Sequence, residues 1–146
     1  MMDATFTWPV RVYFEDTDSG GVVYYANYLK YYERTRSEWL RTLGISQQDL
    51  VEKRKILFVV RKVTVDYHRS AVLDDALTVT LDVARVKGAS VEFVQKVIRN
   101  TDGTLLSSCR VTIACIDGNK MKPTAFPEDI VGKFKAALAS SESRLG

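Results

Sequence analysis

The sequence has little of what marks the specialised classes of protein. It holds two cysteines, three prolines, eight glycines and one histidine among 146 residues, which is typical neither of a disulfide scaffold nor of a disordered Pro/Gly-rich chain. No apolar run approaches the roughly 20 residues that span a bilayer, and residues 1–5 lack the basic and apolar regions of a secretion signal. We therefore expect a cytoplasmic protein without membrane insertion, folded as one domain over residues 1–146.

The charges exclude further classes. The 21 basic and 18 acidic residues leave a net charge of +3 and are interleaved, so nucleic acid is not an expected partner, whereas a small polyanion is compatible. Cys109 and Cys115 lie in one predicted strand, where six residues separate them by ~20 Å, too far for a disulfide. We interpret both as core residues, and a single histidine without further ligands predicts no metal site.

Hydrophobic periodicity predicts one strand, one long helix and four further strands. Alternation over 6–14 predicts the first strand, and Pro9 favours an edge position. Helical spacing runs over 22–43 and ends at Gly44. Ser46 is placed to cap a short second helix, and a C-terminal helix follows Pro127, with a polar tail at 140–143. Period-two alternation predicts the four later strands at 59–68, 77–83, 91–97 and 111–115.

The turns between the last strands decide the topology. The connections at 87–90 and 100–103 are too short for parallel crossovers, so the sheet is predicted to be antiparallel. The fold class is therefore α+β, with a five-stranded antiparallel sheet wrapped around one long central helix. Such a sheet leaves edges and part of one face uncovered, which favours a homo-oligomer, either a homodimer or a homotetramer.

The most distinctive segment is 13–28, YFEDTDSGGVVYYANY. Its Asp-Thr-Asp-x-Gly-Gly-Val-Val-Tyr pattern resembles the signature of hotdog-fold thioesterases, in particular the Tol-Pal-associated acyl-CoA thioesterases and the 4-hydroxybenzoyl-CoA thioesterases. The similarity covers most of residues 8–117. It implies a hotdog fold and an enzyme that hydrolyses an acyl-CoA substrate to the free acid and CoA, with no cofactor.

Asp18 is the residue to which the resemblance gives the central role. Its carboxylate is suited to activating water as a general base or to attacking the thioester as a nucleophile, and the sequence leaves both open. A backbone amide near Tyr25, at the start of the helix, would polarise the thioester carbonyl, and Gly21 would allow substrate to approach. The structural alternative is that Asp18 caps the helix or stabilises the turn.

A second candidate site is the turn Lys87, Gly88, Ala89 and Ser90, which resembles the turn that contacts the CoA phosphates in related proteins. A plain hairpin with a solvated lysine explains this turn equally well. The basic run at 53–55 is interpreted mainly as a solvated face.

Several alternatives remain open at this point. The Tol-Pal-associated group often has histidine where this chain has Tyr25, and the only histidine, His68, is interpreted as a structural or surface residue. The main alternative function is a non-catalytic acyl-binding or interaction protein of the same fold. A hydratase of this fold is less favoured, because the signature segment lacks the His-plus-acid pair that such enzymes use. The acyl group is also open, as is the carrier, CoA or acyl carrier protein.

Overall fold

One antiparallel sheet organises the fold. The computed structural model describes residues 4–145, with side chains through residue 142. The strands are β1 (Phe6–Arg11), β2 (Ile56–Tyr67), β3 (Ala76–Val86), β4 (Ser90–Arg99), β5 (Leu105–Asp117) and β6 (Lys122–Pro123), and the helices are α1 (Asn27–Thr42), α2 (Gln47–Asp49) and α3 (Glu128–Leu145). The order is β1-β3-β4-β5-β2, with β6 paired to β5. The α+β class and the five antiparallel strands are confirmed, and β6 is a short addition.

The core lies between α1, α3 and the sheet. Tyr31 and Tyr32 of α1 are 1% and 0% exposed, and Trp39 stacks on Phe134 of α3 at 5.7 Å between ring centroids. Alternate residues of β3, β4 and β5 supply the rest of the core, as period-two strands with one buried face require. Pro9 lies in β1, which pairs only with β3, so its predicted edge position is confirmed.

The long helix begins later than the periodicity predicts. The prediction placed its start at residue 22, whereas α1 starts at Asn27. Val22 and Val23 form isolated β-bridges with Val72 and Thr17 instead. Both residues are β-branched and favour extended backbone. This segment therefore forms a short β-ladder and not the first turn of the helix.

The C-terminal end of α1 agrees with the sequence. Gly44 has φ +77°, and the Ile45 amide donates to the Leu40 carbonyl, which is the geometry that favours glycine just after a helix. Ser46 accepts a hydrogen bond from the Asp49 amide at 3.2 Å. The predicted cap of the short second helix is therefore confirmed, and α2 continues into a π-helical turn, Leu50–Arg54.

A β-bulge in β2 interrupts the alternation predicted over 59–68. Val60 pairs with Ile113 and Lys62 with Thr112, so Arg61 is an extra residue on β2. An inserted residue reverses which side chains face which side. The single alternation predicted over 59–68 is therefore wrong on the N-terminal side of the bulge.

The predicted polar tail at 140–143 is also wrong, because α3 continues through Leu145. Ser141 is 0% exposed, and its hydroxyl accepts a hydrogen bond from the Val83 amide at 3.0 Å. The serine-rich composition suggested a solvated C-terminal segment. Ser141 instead supplies the acceptor for the Val83 amide of β3, beyond the last residue of β3 that pairs with β1.

Candidate active site

The predicted carboxylate sits at the tip of a small hairpin. Thr17 and Val23 form its bridge, and the Asp18 amide donates to the Val22 carbonyl at 2.9 Å. The turn closes when the Gly21 amide donates to the Asp18 carbonyl at 3.0 Å, and Gly21 adopts φ +81°, which disfavours residues with a side chain. The two glycines of the motif therefore shape the turn that presents Asp18.

Only one carboxylate oxygen of Asp18 is used by the protein itself. Oδ1 accepts a hydrogen bond from the Gly20 amide at 2.9 Å, while Oδ2 makes no hydrogen bond to any of residues 4–142. The side chain is exposed. Since Ala26 occupies the N-cap position of α1, the helix-capping alternative is wrong, and the turn-stabilising alternative accounts for one oxygen. The other oxygen is available to water or substrate.

The backbone amide of Tyr25 is the second group of the site. Its neighbours are engaged: the Tyr24 amide donates to the Asp16 carbonyl at 3.0 Å, and the Asn27 amide donates to the Tyr24 carbonyl at 2.8 Å. The Tyr25 amide has no acceptor within the described part of the chain. The Asn27 side-chain amide also donates to the Asp16 carbonyl at 2.9 Å. A free donor is thus held in place where α1 begins, which is the arrangement that binds oxyanions.

The Tyr25 ring lies over an aromatic group. It contacts Tyr24 at 4.8 Å and Tyr67, at the end of β2, at 5.8 Å between centroids. Tyr25, Tyr28 and Tyr67 line a pocket of about 160 Å³. This pocket, which the sequence did not suggest because Tyr67 is 42 residues away, provides an apolar wall beside the candidate oxyanion donor.

Tyr31 lies close to Asp16, just before the hairpin, and the sequence did not indicate it. It is 1% exposed, and its hydroxyl is the one fully buried side-chain polar atom of residues 4–142 that makes no hydrogen bond. Burial, and then the negative charge of Asp16, raise the pKa of Tyr31 well above its usual value. The Asp16 carboxylate itself accepts a hydrogen bond from the Tyr13 amide at 2.8 Å. A neutral phenol and a loop-anchoring carboxylate thus lie together beneath the hairpin.

The turn predicted to hold CoA lies elsewhere, between β3 and β4. Lys87 and Ser90 line a pocket of about 180 Å³. The carbonyls of Gly88 and Ala89 accept hydrogen bonds from the amides of Phe126 and Cys115 at 2.8 and 2.9 Å, so these two residues have a structural role. The structure therefore brings two of the four predicted residues to a pocket.

Three further basic residues line the same pocket: Arg61, Lys62 and Arg85. Its only acidic residue, Glu92, forms an ion pair with Arg110. The pocket therefore carries a surplus of positive charge suited to phosphate groups. Arg61 was missed because its orientation depends on the β2 bulge, which no local pattern in the sequence indicates.

The two candidate regions are separate within one chain. Lys62 of the basic pocket and Tyr67 of the aromatic pocket are five residues apart on β2, a distance of about 17 Å at the rise of an extended strand. Both regions border β2. Within one chain, a substrate that reaches both regions would extend along this strand.

Comparison with known proteins adds to this geometry. The family model described as the thioesterase-like superfamily matches residues 12–134. The chain belongs to this superfamily. The acyl-CoA thioesterase YbgC of Haemophilus influenzae is 50% identical over 134 residues, which cover 92% of this chain and 97% of that one. The resemblance stated from the motif is thereby confirmed.

Solved structures of similar proteins have the same fold. A probable thioesterase from Bartonella henselae has a TM-score of 0.78 at 35% identity and covers 83% of this chain and 98% of that one. The DHNA-CoA thioesterase of Staphylococcus aureus has a TM-score of 0.84 at 20% identity, covering 95% and 93%, and shows the fold alone. The predicted hotdog fold is confirmed.

The remaining reactive side chains of this thioesterase-like protein are occupied or buried. Burial raises the pKa of the Cys109 and Cys115 thiols to about 11, so both are protonated at neutral pH. His68 is exposed and lies 3.2 Å from the Ser108 hydroxyl. Within the basic run at 53–55, Arg54 forms an ion pair with Asp129.

Two features are absent from the described residues. Among residues 4–145, none of the helices combines the length and apolar character that crossing a membrane requires. Residues 4–142 contain no group of three or more His, Cys, Asp or Glu side chains arranged to hold a metal ion. The cytoplasmic location stays a prediction.

Proposed function

We propose that this chain hydrolyses acyl-CoA thioesters to the free acid and CoA, with Asp18 as the reactive carboxylate. The observation that carries the proposal is the presence, within residues 18–25, of a carboxylate with one unengaged oxygen and a backbone amide with no acceptor. The 50% identity to an acyl-CoA thioesterase over most of both chains supports the same reaction.

The chemistry divides between these two groups. The Asp18 carboxylate takes a proton from water as water attacks the thioester carbon, or attacks that carbon itself to give a mixed anhydride that water then opens. The Tyr25 amide donates to the carbonyl oxygen, whose negative charge grows as the tetrahedral intermediate forms. Collapse of the intermediate releases the CoA thiolate, which takes up a proton. Single-turnover hydrolysis in heavy-oxygen water identifies the nucleophilic route when water opens the anhydride at the Asp18 carboxyl carbon, because the label then enters the Asp18 carboxylate.

The test is thiol release from a panel of short-chain, long-chain and benzoyl-type CoA thioesters. We expect Asp18→Asn to keep the fold and lower turnover by a factor of ~100 or more, the scale of losing an acid–base group. Asp74→Asn is a matched control, because Asp74 is exposed and has φ +70°, a conformation that asparagine tolerates.

Each outcome of this test has one meaning. An Asp18→Asn protein as active as the native one overturns the role of Asp18. If the native protein hydrolyses none of the thioesters but binds them in a calorimeter, the alternative of a non-catalytic acyl-binding protein replaces the proposal. The same panel run on acyl carrier protein thioesters establishes which carrier is preferred.

The CoA nucleotide is proposed to bind the basic pocket beside Lys87 and Ser90. Four cationic side chains around about 180 Å³ give a charge that matches the phosphates of the coenzyme. Arg61, Lys62 and Arg85 thus join Lys87 as proposed phosphate contacts, while Gly88 and Ala89 shape the turn.

The homo-oligomer is proposed to form through β2. This 12-residue strand has β5 as its only neighbour in the described sheet. Val59, Val60 and Val63 on it are 38%, 51% and 41% exposed. A long apolar edge strand is a template for pairing with another chain, and a second copy related by a twofold axis presents the same edge.

A further inference from the structure

A cavity between α1 and the sheet is not explained by the hydrolysis chemistry. Its volume is about 130 Å³. One part of its wall is apolar and buried, including Leu40, Val91, Phe93 and Phe134. The remaining wall is polar, with Glu33, Arg36, Ser37 and Gln47. The cavity is therefore an apolar chamber that opens beside the exposed Val60, with the charged side chains of Glu33 and Arg36 on its wall.

Arg36 is held rigidly at this wall. Its Nη1 donates to Gln95 Oε1 at 3.0 Å, and Gln95 Nε2 donates to the Tyr32 carbonyl of α1 at 3.1 Å. Gln95 is 0% exposed. The amide of Gln95 is thus fixed by the helix that carries Arg36, and it orients the guanidinium.

The Arg36 guanidinium forms no ion pair within the described residues. No carboxylate of residues 4–142 lies within 4 Å of it; Glu33, one turn earlier on the same cavity wall, is exposed, and its negative charge acts on Arg36 from a greater distance. Burial lowers the pKa of Arg36, which reflects the cost of holding the charge away from water. Its other guanidinium nitrogens make no hydrogen bond to these residues but remain reachable, since Tyr31 has the only fully buried unpaired atom among them.

The ligand that best completes such a site is a carboxylate. A guanidinium binds a carboxylate through two parallel charged hydrogen bonds, and the ligand's charge offsets that of the half-buried arginine. The size of the chamber limits the rest of the ligand, because an engineered apolar cavity of roughly 150 Å³ holds one benzene molecule. The volume of this cavity therefore matches a short acyl chain.

α1 connects the two regions, because Tyr25 lies just before the start of this helix and Arg36 lies on it. Arg36 is nine residues after Asn27, about 13.5 Å along the axis of α1. Long side chains on a helix lean towards its N-terminus, so Arg36 extends back towards the hairpin that carries Asp18. A chain of a few carbons bridges the interval.

We propose that Arg36 is a specificity-determining residue that favours short acyl groups with a terminal carboxylate, of roughly four to six carbons. The inference rests on the proposed function, since it assigns the substrate class of that site. Gln95 is the positioning residue that holds Arg36.

The experiment compares kcat/KM for glutaryl-CoA and valeryl-CoA, which share the carrier and chain length and differ in the terminal carboxylate. We expect the native protein to prefer glutaryl-CoA by tenfold or more. Arg36→Met, which keeps an unbranched stem, should lower this ratio at least tenfold. Arg41→Met is the matched control, because Arg41 is exposed on the same helix and pairs with Glu38; it should leave the ratio unchanged.

Two further measurements keep the inference falsifiable. If Arg36→Met fails to fold, Arg36→Lys keeps the charge but loses the planar fork, and the ratio should still fall. Binding to Asp18→Asn protein needs no turnover, and glutaryl-CoA should bind tighter than valeryl-CoA there.

The failures are distinguishable. Asp18-dependent hydrolysis of valeryl-CoA without a native preference for glutaryl-CoA, or with a preference that survives at Arg36→Met, overturns the role of Arg36 alone. If neither thioester is hydrolysed while a long-chain or benzoyl-type thioester is, the role of Arg36 is overturned and the proposed function stands. If no thioester of the panel is hydrolysed, the proposed function fails, and equal binding of glutaryl-CoA and valeryl-CoA then overturns the carboxylate specificity as well.

Discussion

Ser141→Ala tests how α3 is attached to the sheet. The Ser141 hydroxyl accepts a hydrogen bond from the Val83 amide at 3.0 Å, donates to Asp82 Oδ1 at 3.2 Å and lies 2.7 Å from Thr5 Oγ1. Alanine leaves the buried Val83 amide without this acceptor, which costs about 1–3 kcal/mol, and the lost bond to Asp82 adds about 1 kcal/mol. We therefore expect the free energy of unfolding to fall by about 2–4 kcal/mol.

Urea unfolding followed by circular dichroism measures this loss, and the melting temperature should fall by roughly 5–15 °C. Lys135→Ala is the control, because Lys135 is on the exposed face of α3, and its effect should stay within about 0.5 kcal/mol. If the free energy of unfolding of Ser141→Ala is within about 0.5 kcal/mol of the native value, water or a shifted side chain replaces the hydroxyl. That result would refute the role of Ser141 in attaching α3 to the sheet.

Three further predictions concern the proposed function. Tyr25→Phe keeps the backbone amide, so kcat/KM should stay within about threefold of native; a loss above tenfold would mean that the phenol takes part in the chemistry. Lys87→Ala should raise KM for acyl-CoA about threefold to tenfold at low salt, with no change for N-acetylcysteamine thioesters, which lack the nucleotide phosphates; equal effects on both would remove Lys87 from the phosphate site. Val63→Lys places a charge on the apolar edge of β2 and should convert the oligomer to a 16.5 kDa monomer in light scattering; native protein that is already monomeric contradicts the proposed interface.

Much of the fold was predictable because the signals are local. Alternation in β3 and β4, the glycine after α1 and the Ser46 cap each depend on a few neighbouring residues, and each agrees with the structure. Two predictions were wrong where pairing with residues far away in the sequence determines the local backbone structure. Val22 and Val23 are extended because Thr17 and Val72 pair with them, and Arg61 is an extra residue because β5 fixes the register on both sides of it.

The candidate site was predictable to the extent that one segment carries it. Asp18, Gly21 and Tyr25 lie within eight residues, so a motif describes them. The aromatic wall at Tyr67 and the cluster around Arg61 come together through the sheet, and sequence spacing does not indicate them. No pattern in the sequence singles out Arg36, because its contact with Gln95 joins residues 59 apart.

The position of β2 links the proposed chemistry to the proposed assembly. The basic pocket and the aromatic pocket both border this strand, about 17 Å apart, so a coenzyme that places its phosphates in one and its thioester near the other runs beside this strand. A second copy paired through the edge of β2 would close one side of that path and exclude water from it. Assembly and turnover should therefore be lost together: if Val63→Lys gives a folded monomer that still hydrolyses thioesters at the native rate, the coenzyme does not run beside β2, and the phosphate site must be sought elsewhere.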